Sequence, residues 1–266
     1  YPDEENLGKY SGKFLTISNF IKKAKGIVII YSRFVEGGIL PLALILEHMG
    51  YMREGEKNIL DKPKIISDAP KYGFGSAPKY CIMTSHSENN NVMGSSSIDK
   101  LLPIINNKKN INGELVKVIL MTPVASEGLS FYNAREMHII EPWYHFNKTK
   151  QIIGRGIRNC RHNSLPLEER NMTIYTHASF NDYNNETADI HAYRISSKKL
   201  DQSNKIEEII RDNAFDCYLM KNMNYFPKNI FNFDIDLISS QNKIIKYNYG
   251  DSEYYEPKCK INSKNI

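Results

Sequence analysis

The sequence predicts an α/β fold, in which a parallel β-sheet is covered by helices on both faces and is followed by a smaller α+β extension. Up to about residue 180, short apolar runs alternate with helical patterns, which is the order of right-handed βαβ units. The apolar runs are nearly continuous, as expected of strands that are buried on both faces of a parallel sheet. Beyond that point the pattern changes, and we therefore predict two domains, at residues 1–182 and 183–266.

The first predicted unit of the sheet lies near the start of the chain. Apolar residues at helical spacing predict a helix over Lys13–Lys25. The run Gly26–Ser32 predicts a buried strand, and Ile39–Met49 predicts a second helix with Pro41 in its first turn, where a missing N–H is tolerated. Residues 51–79 are polar and contain three prolines, which indicates a long loop or a surface insertion.

The same alternation continues to the end of the first domain. Its remaining strands are predicted at Tyr80–Thr84, Val116–Thr122, Glu136–Glu141 and Met172–Thr176. Helices are predicted over Ile98–Ile105 and His145–Asn159, and they would cover the sheet between these strands.

The second domain combines one helical pattern with two alternating ones. A predicted amphipathic helix, Asn204–Lys221, carries an apolar stripe that consists of Ile206, Ile210, Ala214 and Cys217. Alternation over Phe231–Leu237 and Ile245–Tyr249 predicts two half-buried strands, and Ser239–Asn242 suits the turn of a hairpin between them.

The composition is that of a folded protein with a modest excess of positive charge. Hydrophobic residues make up 41% of the 266 residues, which excludes a disordered chain. No apolar run reaches the ~18 residues that a membrane-spanning helix needs, and the polar, acidic first residues argue against a signal peptide at this end. The formal charge of +5 fits a polyanionic partner and equally fits an ordinary solvated enzyme, so charge leaves both interpretations open.

The four cysteines are widely separated and lack the spacing of a metal site; they are Cys81, Cys160, Cys217 and Cys259. We therefore predict no bound metal at these residues. We also predict that they are free thiols in an intracellular, reducing compartment.

The most specific chemical pattern is the octet Gln151–Arg158, which reads Gln-Ile-Ile-Gly-Arg-Gly-Ile-Arg. On a helix, Gln151, Arg155 and Arg158 would share one face because they are spaced i, i+4 and i+7. Guanidinium groups form bidentate contacts with the charged oxygens of a triphosphate. An arginine finger that reaches a γ-phosphate from another domain raises the reaction rate by roughly 10³ to 10⁵. The alternative is a solvated helix face with ordinary ion pairs.

Three segments, in the right order along the chain, resemble the motifs of superfamily two helicases and translocases. Val28–Phe34 resembles motif IV, Ile119–Leu129 resembles motif V, and the octet resembles motif VI. In addition, His138–Trp143 and parts of His162–Asn171 are similar to helicases of large nucleocytoplasmic DNA viruses, the relatives of poxvirus nucleoside triphosphatase and early transcription factor helicase subunits. The resemblance implies a RecA-like C-terminal motor domain of a nucleic-acid-dependent ATPase.

The resemblance also implies roles for the residues that match these motifs. Arg155 and Arg158 would be arginine fingers, with Gln151 near the attacking water or the nucleotide. The other assignments are nucleotide binding for Glu127, Gly128 and Gly154, and nucleic-acid binding for Ser32, Arg33 and Thr122. The nucleic-acid-binding set follows predicted strand ends, which is where ligands of open α/β sheets bind.

The chain departs from the family pattern in two respects. Ser130 stands where many relatives have Asp, and the sequence contains neither a Gly-x-x-x-x-Gly-Lys-Ser/Thr loop nor an Asp-Glu metal-binding box. We therefore expect ATP and Mg²⁺ to be held mainly by an N-terminal RecA-like domain of the same parent chain, so that this chain alone is inactive. The other expected partners are single- or double-stranded nucleic acid and viral transcription machinery, in the host cytoplasm or the virion, without a membrane.

Two further functions fit the same residues. One is a non-catalytic RecA-like scaffold in a viral transcription or packaging complex, and the other is the motor subunit of a restriction-type enzyme. The aromatic run Trp143–Phe146 also has two interpretations, stacking on nucleobases or core packing where a strand meets a helix, and we favour core packing.

Overall fold

The computed structural model describes residues 4–60, 77–84, 98–123, 128–181, 185–223, 234–238, 243–248 and 257–260. The chain forms two compact units, residues 1–197 and 198–266. The assignment of residues 183–266 to a separate extension stays a prediction. Within the described ranges, no helix is both long enough and apolar enough to cross a membrane.

Six parallel strands form one sheet in the order β2-β3-β4-β1-β5-β6. The strands are β1 Ile27–Tyr31, β2 Met52–Arg53, β3 Lys79–Met83, β4 Val118–Met121, β5 Ala134–Ile139 and β6 Thr173–Thr176. All five residues of β1 are buried, because this strand lies between β4 and β5 in the centre of the sheet. The predicted fold class is confirmed.

Helices cover both faces of this sheet. Of these helices, α2 Gly12–Lys23 and α3 Leu40–His48 cover one face, and α4 Ile98–Ile105 and α5 Phe146–Gly156 cover the other. The remaining helices are α1 Glu4–Tyr10, α6 Ala188–Asn213 and α7 Cys217–Met220, of which α7 belongs to the second unit. A π-helical turn, Val35–Ile39, precedes α3. Helix α2 begins after Ser11, whose hydroxyl accepts a hydrogen bond from the backbone N–H of Phe14 and so caps the helix.

The alternation of side chains along β1 divides the apolar interior into two cores. Val28 and Ile30 pack into the core that α2 and α3 cover, whereas Ile27 and Ile29 pack into the core under α4 and α5. Full burial of each of these side chains stabilises the fold by ~1.5–3 kcal/mol. The central strand that leads to the candidate site is therefore packed on both faces.

The segment after α3 is more ordered than the sequence predicted. Met52–Arg53 forms a two-residue strand at the edge of the sheet, parallel to β3. The buried carboxylate of Glu47 holds the following loop, because it accepts hydrogen bonds from the N–H groups of Ile59 and Leu60 at 2.8 and 2.7 Å. A two-residue strand is too short to produce a periodic signal. Residues 61–76 lie outside the described part of the chain.

Helix α5 ends at Gly156, three residues before the predicted end at Asn159. Ile157 is extended, with φ −101° and ψ 102°. A Cβ atom on Gly156 would lie 2.7 Å from Sδ of Met172, so close packing against β6 accompanies the end of the helix. The prediction that Gln151, Arg155 and Arg158 share one helix face is therefore wrong for Arg158.

The second unit contains the predicted pair of strands and a divided helix. Strands β7, Asp234–Ile238, and β8, Ile244–Asn248, pair antiparallel, and the predicted turn between them lies outside the described residues. The long helix ends at Asn213, and Ile206 and Ile210 of the predicted apolar stripe are exposed.

The expectation of four free thiols is also wrong. Cys217 and Cys259 form a disulfide, whereas Cys81 is a buried free thiol and Cys160 an exposed one. Cysteines that are 42 residues apart give no sequence signal for pairing. The reducing compartment stays a prediction.

Candidate functional site

The predicted site residues lie in two separate groups at the two ends of β5. The carboxyl-edge group, defined as Ser32, Arg33, Thr122 and Glu141, follows the ends of β1, β4 and β5, which are neighbours in the sheet. The arginine group, defined as Ser130, Arg155 and Arg158, lies where β5 begins.

The location of the arginine group follows from the direction of α5. This helix follows the carboxyl end of β5 and returns to the amino end, where the N–H of Phe131 donates to the carbonyl of Arg155 at 3.1 Å. The N–H of Asn133 donates to the carbonyl of Arg161 at 3.1 Å, and both donors precede the first residue of β5. The two arginines therefore lie at the opposite end of β5 from Ser32 and Thr122.

At the carboxyl edge, the side chains of Ser32 and Glu141 and the N–H groups of Arg33 and Phe34 form a closed set of hydrogen bonds, called the bracket. The Ser32 hydroxyl donates to Oε1 of Glu141 at 2.7 Å and accepts from the N–H of Phe34 at 3.1 Å. The other carboxylate oxygen of Glu141 accepts from the N–H of Arg33 at 3.2 Å. Ser32 is fully buried, so its side chain supports the edge from inside and does not fit the predicted contact with nucleic acid.

Burial governs the electrostatics of this bracket. Desolvation raises the pKa of Glu141, and the hydrogen bonds from Ser32 and Arg33, together with the charges of Lys13 and Arg33, offset part of the rise. Gly38 closes the bracket from the other side, since a Cβ atom there would lie 2.0 Å from the Ser32 hydroxyl oxygen. The bracket thus requires glycine at this position.

Thr122 also lies inside the structure. Its side chain is at the carboxyl end of β4, the residue is 5% exposed, and its N–H donates to the carbonyl of Met83 at 3.1 Å. Burial to this extent does not fit the predicted contact of Thr122 with nucleic acid.

The outer part of the carboxyl edge consists of aromatic rings and the half-buried Arg33, whose Nε has no hydrogen-bond partner. The guanidinium carbon of Arg33 lies 4.6 Å from the ring centre of Phe34 and 5.2 Å from the ring centre of Trp143. Phe34 and Tyr144 are both 48% exposed. His145 and Phe146 are exposed as well, so the favoured prediction of core packing is wrong for most of the aromatic run.

Lys13 supports this edge, although the sequence did not single it out. Its ammonium group donates to the carbonyl of Ile140 at 2.9 Å and forms an ion pair with Asp189 at 2.6 Å. The bond to Ile140 joins residues that are 127 positions apart, so no local pattern could have indicated it. Lys13 fixes the segment that carries Glu141.

Arg158 is held at the surface next to Arg155. Its Nε donates to the carbonyl of Gly154 at 3.0 Å, and its Nη1 donates to the hydroxyl of Ser130. The serine that replaces an expected carboxylate therefore still contacts motif VI, but it does so without a charge.

Arg155 is half-buried, and its Nε has no hydrogen-bond partner. Among the described residues, no carboxylate lies within ion-pair distance of Arg155 or Arg158. The pattern of ordinary ion pairs on a solvated helix is thus not seen in the described part of the chain. Gln151 is exposed on the same helix.

The remaining nucleotide-linked positions are glycines in open surroundings. Gly128 has φ +78°, in the left-handed region that favours glycine, and no heavy atom lies within 4 Å of a Cβ built on it or on Gly154. Glu127 lies outside the described residues. No group of three potential metal ligands is present within the described ranges.

Comparisons with known proteins place the chain beside viral helicases. It is 31% identical over 227 residues to 087L of Invertebrate iridescent virus 3, named as a helicase, covering 82% of this chain and 21% of that protein. It is 31% identical over 223 residues to R563 of Acanthamoeba polyphaga mimivirus, named as an ATP-dependent RNA helicase, covering 83% of this chain and 35% of that protein.

A third relative is named for transcription. The termination factor NPH-I homolog of African swine fever virus is 29% identical over 186 residues, covering 64% of this chain and 26% of that protein. No protein-family model matches the chain. The chain spans between 21% and 35% of the length of these three relatives.

Proposed function

We propose that this chain, a helicase superfamily two C-terminal domain related to the helicases of large DNA viruses, is the second motor domain of a nucleic-acid-dependent ATPase. Its sheet, with helices on both faces, is that of a RecA-like domain. The two groups of site residues then serve two ligands, a nucleotide and a strand of nucleic acid.

The single observation that carries the nucleotide assignment is the state of the two arginines. Arg155 has an unpartnered Nε, and Arg158 is held at the surface by neutral groups, Ser130 and Gly154. A guanidinium that lacks a local carboxylate is suited to an anion supplied by another domain. The γ-phosphate of ATP is such an anion, and Arg155 and Arg158 act as its arginine fingers.

The chain's own residues fit the triphosphate better than they fit Mg²⁺. Magnesium takes oxygen ligands, usually carboxylates together with substrate phosphates. The described residues offer guanidinium groups at this place and no carboxylate set. ATP and Mg²⁺ are therefore held mainly by an N-terminal RecA-like domain, as the missing Gly-x-x-x-x-Gly-Lys-Ser/Thr loop also indicates.

The nucleic-acid surface is the outer part of the carboxyl edge. Arg33 supplies a fixed positive charge, and the rings of Phe34 and Tyr144 supply exposed aromatic faces beside it. Stacking of a base on an aromatic side chain contributes ~1–3 kcal/mol. Ser32 and Thr122 act from inside, because they hold the strand ends on which this surface rests.

One segment of chain joins the two surfaces. It leaves the carboxyl edge at Thr122, passes Gly128 and reaches Ser130 and Phe131, which contact the arginine pair. Closure of the arginines on ATP therefore acts on Ser130 and Phe131, which follow Thr122 along the chain. Alternating nucleotide states then alternate the grip on the strand.

The test is Arg158→Ala in the full-length protein. We expect nucleic-acid-stimulated ATP turnover to fall roughly 10³-fold or more, as for loss of an arginine finger, with an unchanged melting temperature. Arg161→Ala is the matched control, since that guanidinium lies over the Tyr132 ring, 4.3 Å from its centre, and does not contact Ser130. Normal turnover in Arg158→Ala would reject the assignment.

A second candidate is a non-catalytic scaffold in a viral transcription or packaging complex. It is favoured by the exposed apolar side chains of the second unit, such as Ile206, Ile209 and Leu219, which suit a protein partner. The relative named as a termination factor points to transcription as the setting. Under this proposal the unmodified full-length protein hydrolyses no ATP with any nucleic acid, so the same assay separates the two.

A further inference from the structure

The arginine group rests on residues 130–132, which are separated from the start of β5 by Asn133 alone. The hydroxyl of Ser130 accepts from Nη1 of Arg158, and the N–H of Phe131 donates to the carbonyl of Arg155 at 3.1 Å. The position of both arginines therefore depends on where the backbone of residues 130–132 lies.

Asn106 holds this stretch from the opposite side. Its side-chain amide donates from Nδ2 to the carbonyl of Ser130 at 3.0 Å and accepts at Oδ1 from the N–H of Tyr132 at 3.0 Å. These two bonds lie on either side of Phe131 along the chain. They need one donor and one acceptor on the same short side chain, which Asn supplies and Ala, Leu or Asp does not.

Asn106 and its two hydrogen bonds to Ser130 and Tyr132, called the clip, rest on a packed helix. Asn106 directly follows α4, and its own N–H donates to the carbonyl of Leu102 at 3.0 Å. Leu101 and Ile105 of the same helix are buried in the core against the sheet. The side chain of Asn106 thus transmits the position of a packed helix to the backbone that carries the arginine contacts.

We propose that Asn106 is a positioning residue for Arg155 and Arg158, acting through residues 130–132. This inference rests on the proposed function, in which those arginines meet the γ-phosphate. Asn106 itself contacts neither arginine and is not a catalytic residue. Its loss leaves the fold in place and lets the stretch before β5 move relative to α5.

The adjacent residue offers a matched control. The Asn107 side chain accepts a hydrogen bond from the N–H of Lys109 at 2.9 Å and caps the 3₁₀ turn Lys108–Asn110. It is of the same type, and its bond does not involve residues 130–132. Asn107→Ala therefore removes a local hydrogen bond without touching the clip.

The first experiment is a double-mutant cycle of ATP turnover in the full-length protein. A catalytic group displaced by about 1 Å loses on the order of 10²-fold in rate, so we expect Asn106→Ala to lower kcat by about 10- to 100-fold with a smaller change in KM. Asn107→Ala should leave kcat unchanged. In the Arg158→Ala background, Asn106→Ala should lower kcat by a smaller factor than in the unmodified protein, because only Arg155 is then left to be displaced, whereas full additivity of the two losses overturns the positioning role.

The second experiment does not depend on ATPase activity. Amide hydrogen exchange of the full-length protein is followed in peptides that contain Phe131 and Tyr132. Asn106→Ala should accelerate exchange there while Asn107→Ala does not, and equal protection in both variants overturns the inference. If Arg158→Ala turns over ATP normally, the proposed function fails, while the exchange data still decide whether Asn106 fixes this stretch.

Discussion

The two groups of site residues at the ends of β5 differ in how their cations are held. At the carboxyl end, Lys13 is paired with Asp189 and the carbonyl of Ile140, and Ser32 and Glu141 satisfy each other inside the protein. At the amino end, neither Arg155 nor Arg158 has a carboxylate within ion-pair distance among the described residues. The fold therefore pairs Lys13 with a carboxylate at the carboxyl end, whereas the described residues give the two guanidinium groups of the arginine group no such partner.

Lys117 shows how the fold holds a buried cation to which no ligand is assigned. Lys117 is 2% exposed, and its ammonium group donates to the carbonyl of Ala24 at 2.8 Å. Burial lowers the pKa of Lys117 to about 8, against the opposing influence of Glu136 and Glu114. Even this buried cation has an internal acceptor, whereas Nε of Arg155 has none, which makes Arg155 a candidate for an external ligand.

The largest expected effect separates Arg155 from a structural arginine. Arg155→Met keeps the apolar stem and removes an unsatisfied donor, so the melting temperature should not fall, whereas ATP turnover of the full-length protein should fall roughly 10³-fold. Arg135→Met is the control, because Arg135 pairs with Glu169 at 3.0 Å and bonds Asn171 at 3.3 Å. It should lower the melting temperature and spare turnover. A lower melting temperature with normal turnover in Arg155→Met, together with lost turnover in Arg135→Met, would contradict the assignment of Arg155 as an arginine finger.

Two glycines should respond to alanine with opposite signs. Gly38→Ala places a Cβ atom 2.0 Å from the Ser32 hydroxyl oxygen, inside the closed bracket. Overpacking of this kind lowers the free energy of unfolding by ~1–3 kcal/mol. Gly154→Ala meets no atom within 4 Å and lies in α5; it should raise stability by ~0.5–1 kcal/mol. Urea denaturation of both variants measures this, and equal destabilisation would contradict the open setting of Gly154.

The smallest effect is a pH dependence next to the carboxyl edge. Burial, then the neighbouring His138 and Lys13, lowers the pKa of His177 from 6.5 to about 3. Nε2 of His177 lies 3.0 Å from Nδ1 of His138, and Oε2 of Glu136 lies 3.5 Å from Nε2 of His138. Between these two pKa values the unfolded chain binds this proton and the folded chain does not, so stability falls as the pH falls.

His177→Gln should therefore flatten the acid side of the stability profile. The slope that this residue contributes between pH 6.5 and about 3 is at most ~1.4 kcal/mol per pH unit. Chemical denaturation at a series of pH values measures it, with the exposed His145→Gln as control. An unchanged slope in His177→Gln would show that the histidine is protonated in the folded protein.

The sheet was predictable because its strands are local and strongly patterned. The buried run at β1 and the helix over α2 depend on neighbouring residues and were found where the sequence indicated, and the octet lies on a helix as far as Gly156. The order of three motifs indicated the relationship to helicases that the comparisons support.

What failed depends on contacts between distant residues. Helix α5 ends early beside Met172, 16 residues beyond Gly156, and Ser32 meets Glu141 at a separation of 109 residues. The placement of Arg155 and Arg158 at the amino end of β5 was missed for another reason. A helix that follows a strand returns along the sheet, so a residue near its end lies far from the carboxyl edge.

The most direct test of the two-surface account is a structure of the full-length protein with ADP, beryllium fluoride and a single strand of nucleic acid. We predict the guanidinium groups of Arg155 and Arg158 within hydrogen-bond distance of the γ-phosphate mimic, and the strand against Arg33 and Phe34 at the other end of β5. A structure in which both arginines instead pair with carboxylates of this chain, such as Glu127, while the nucleotide is bound, would contradict the account.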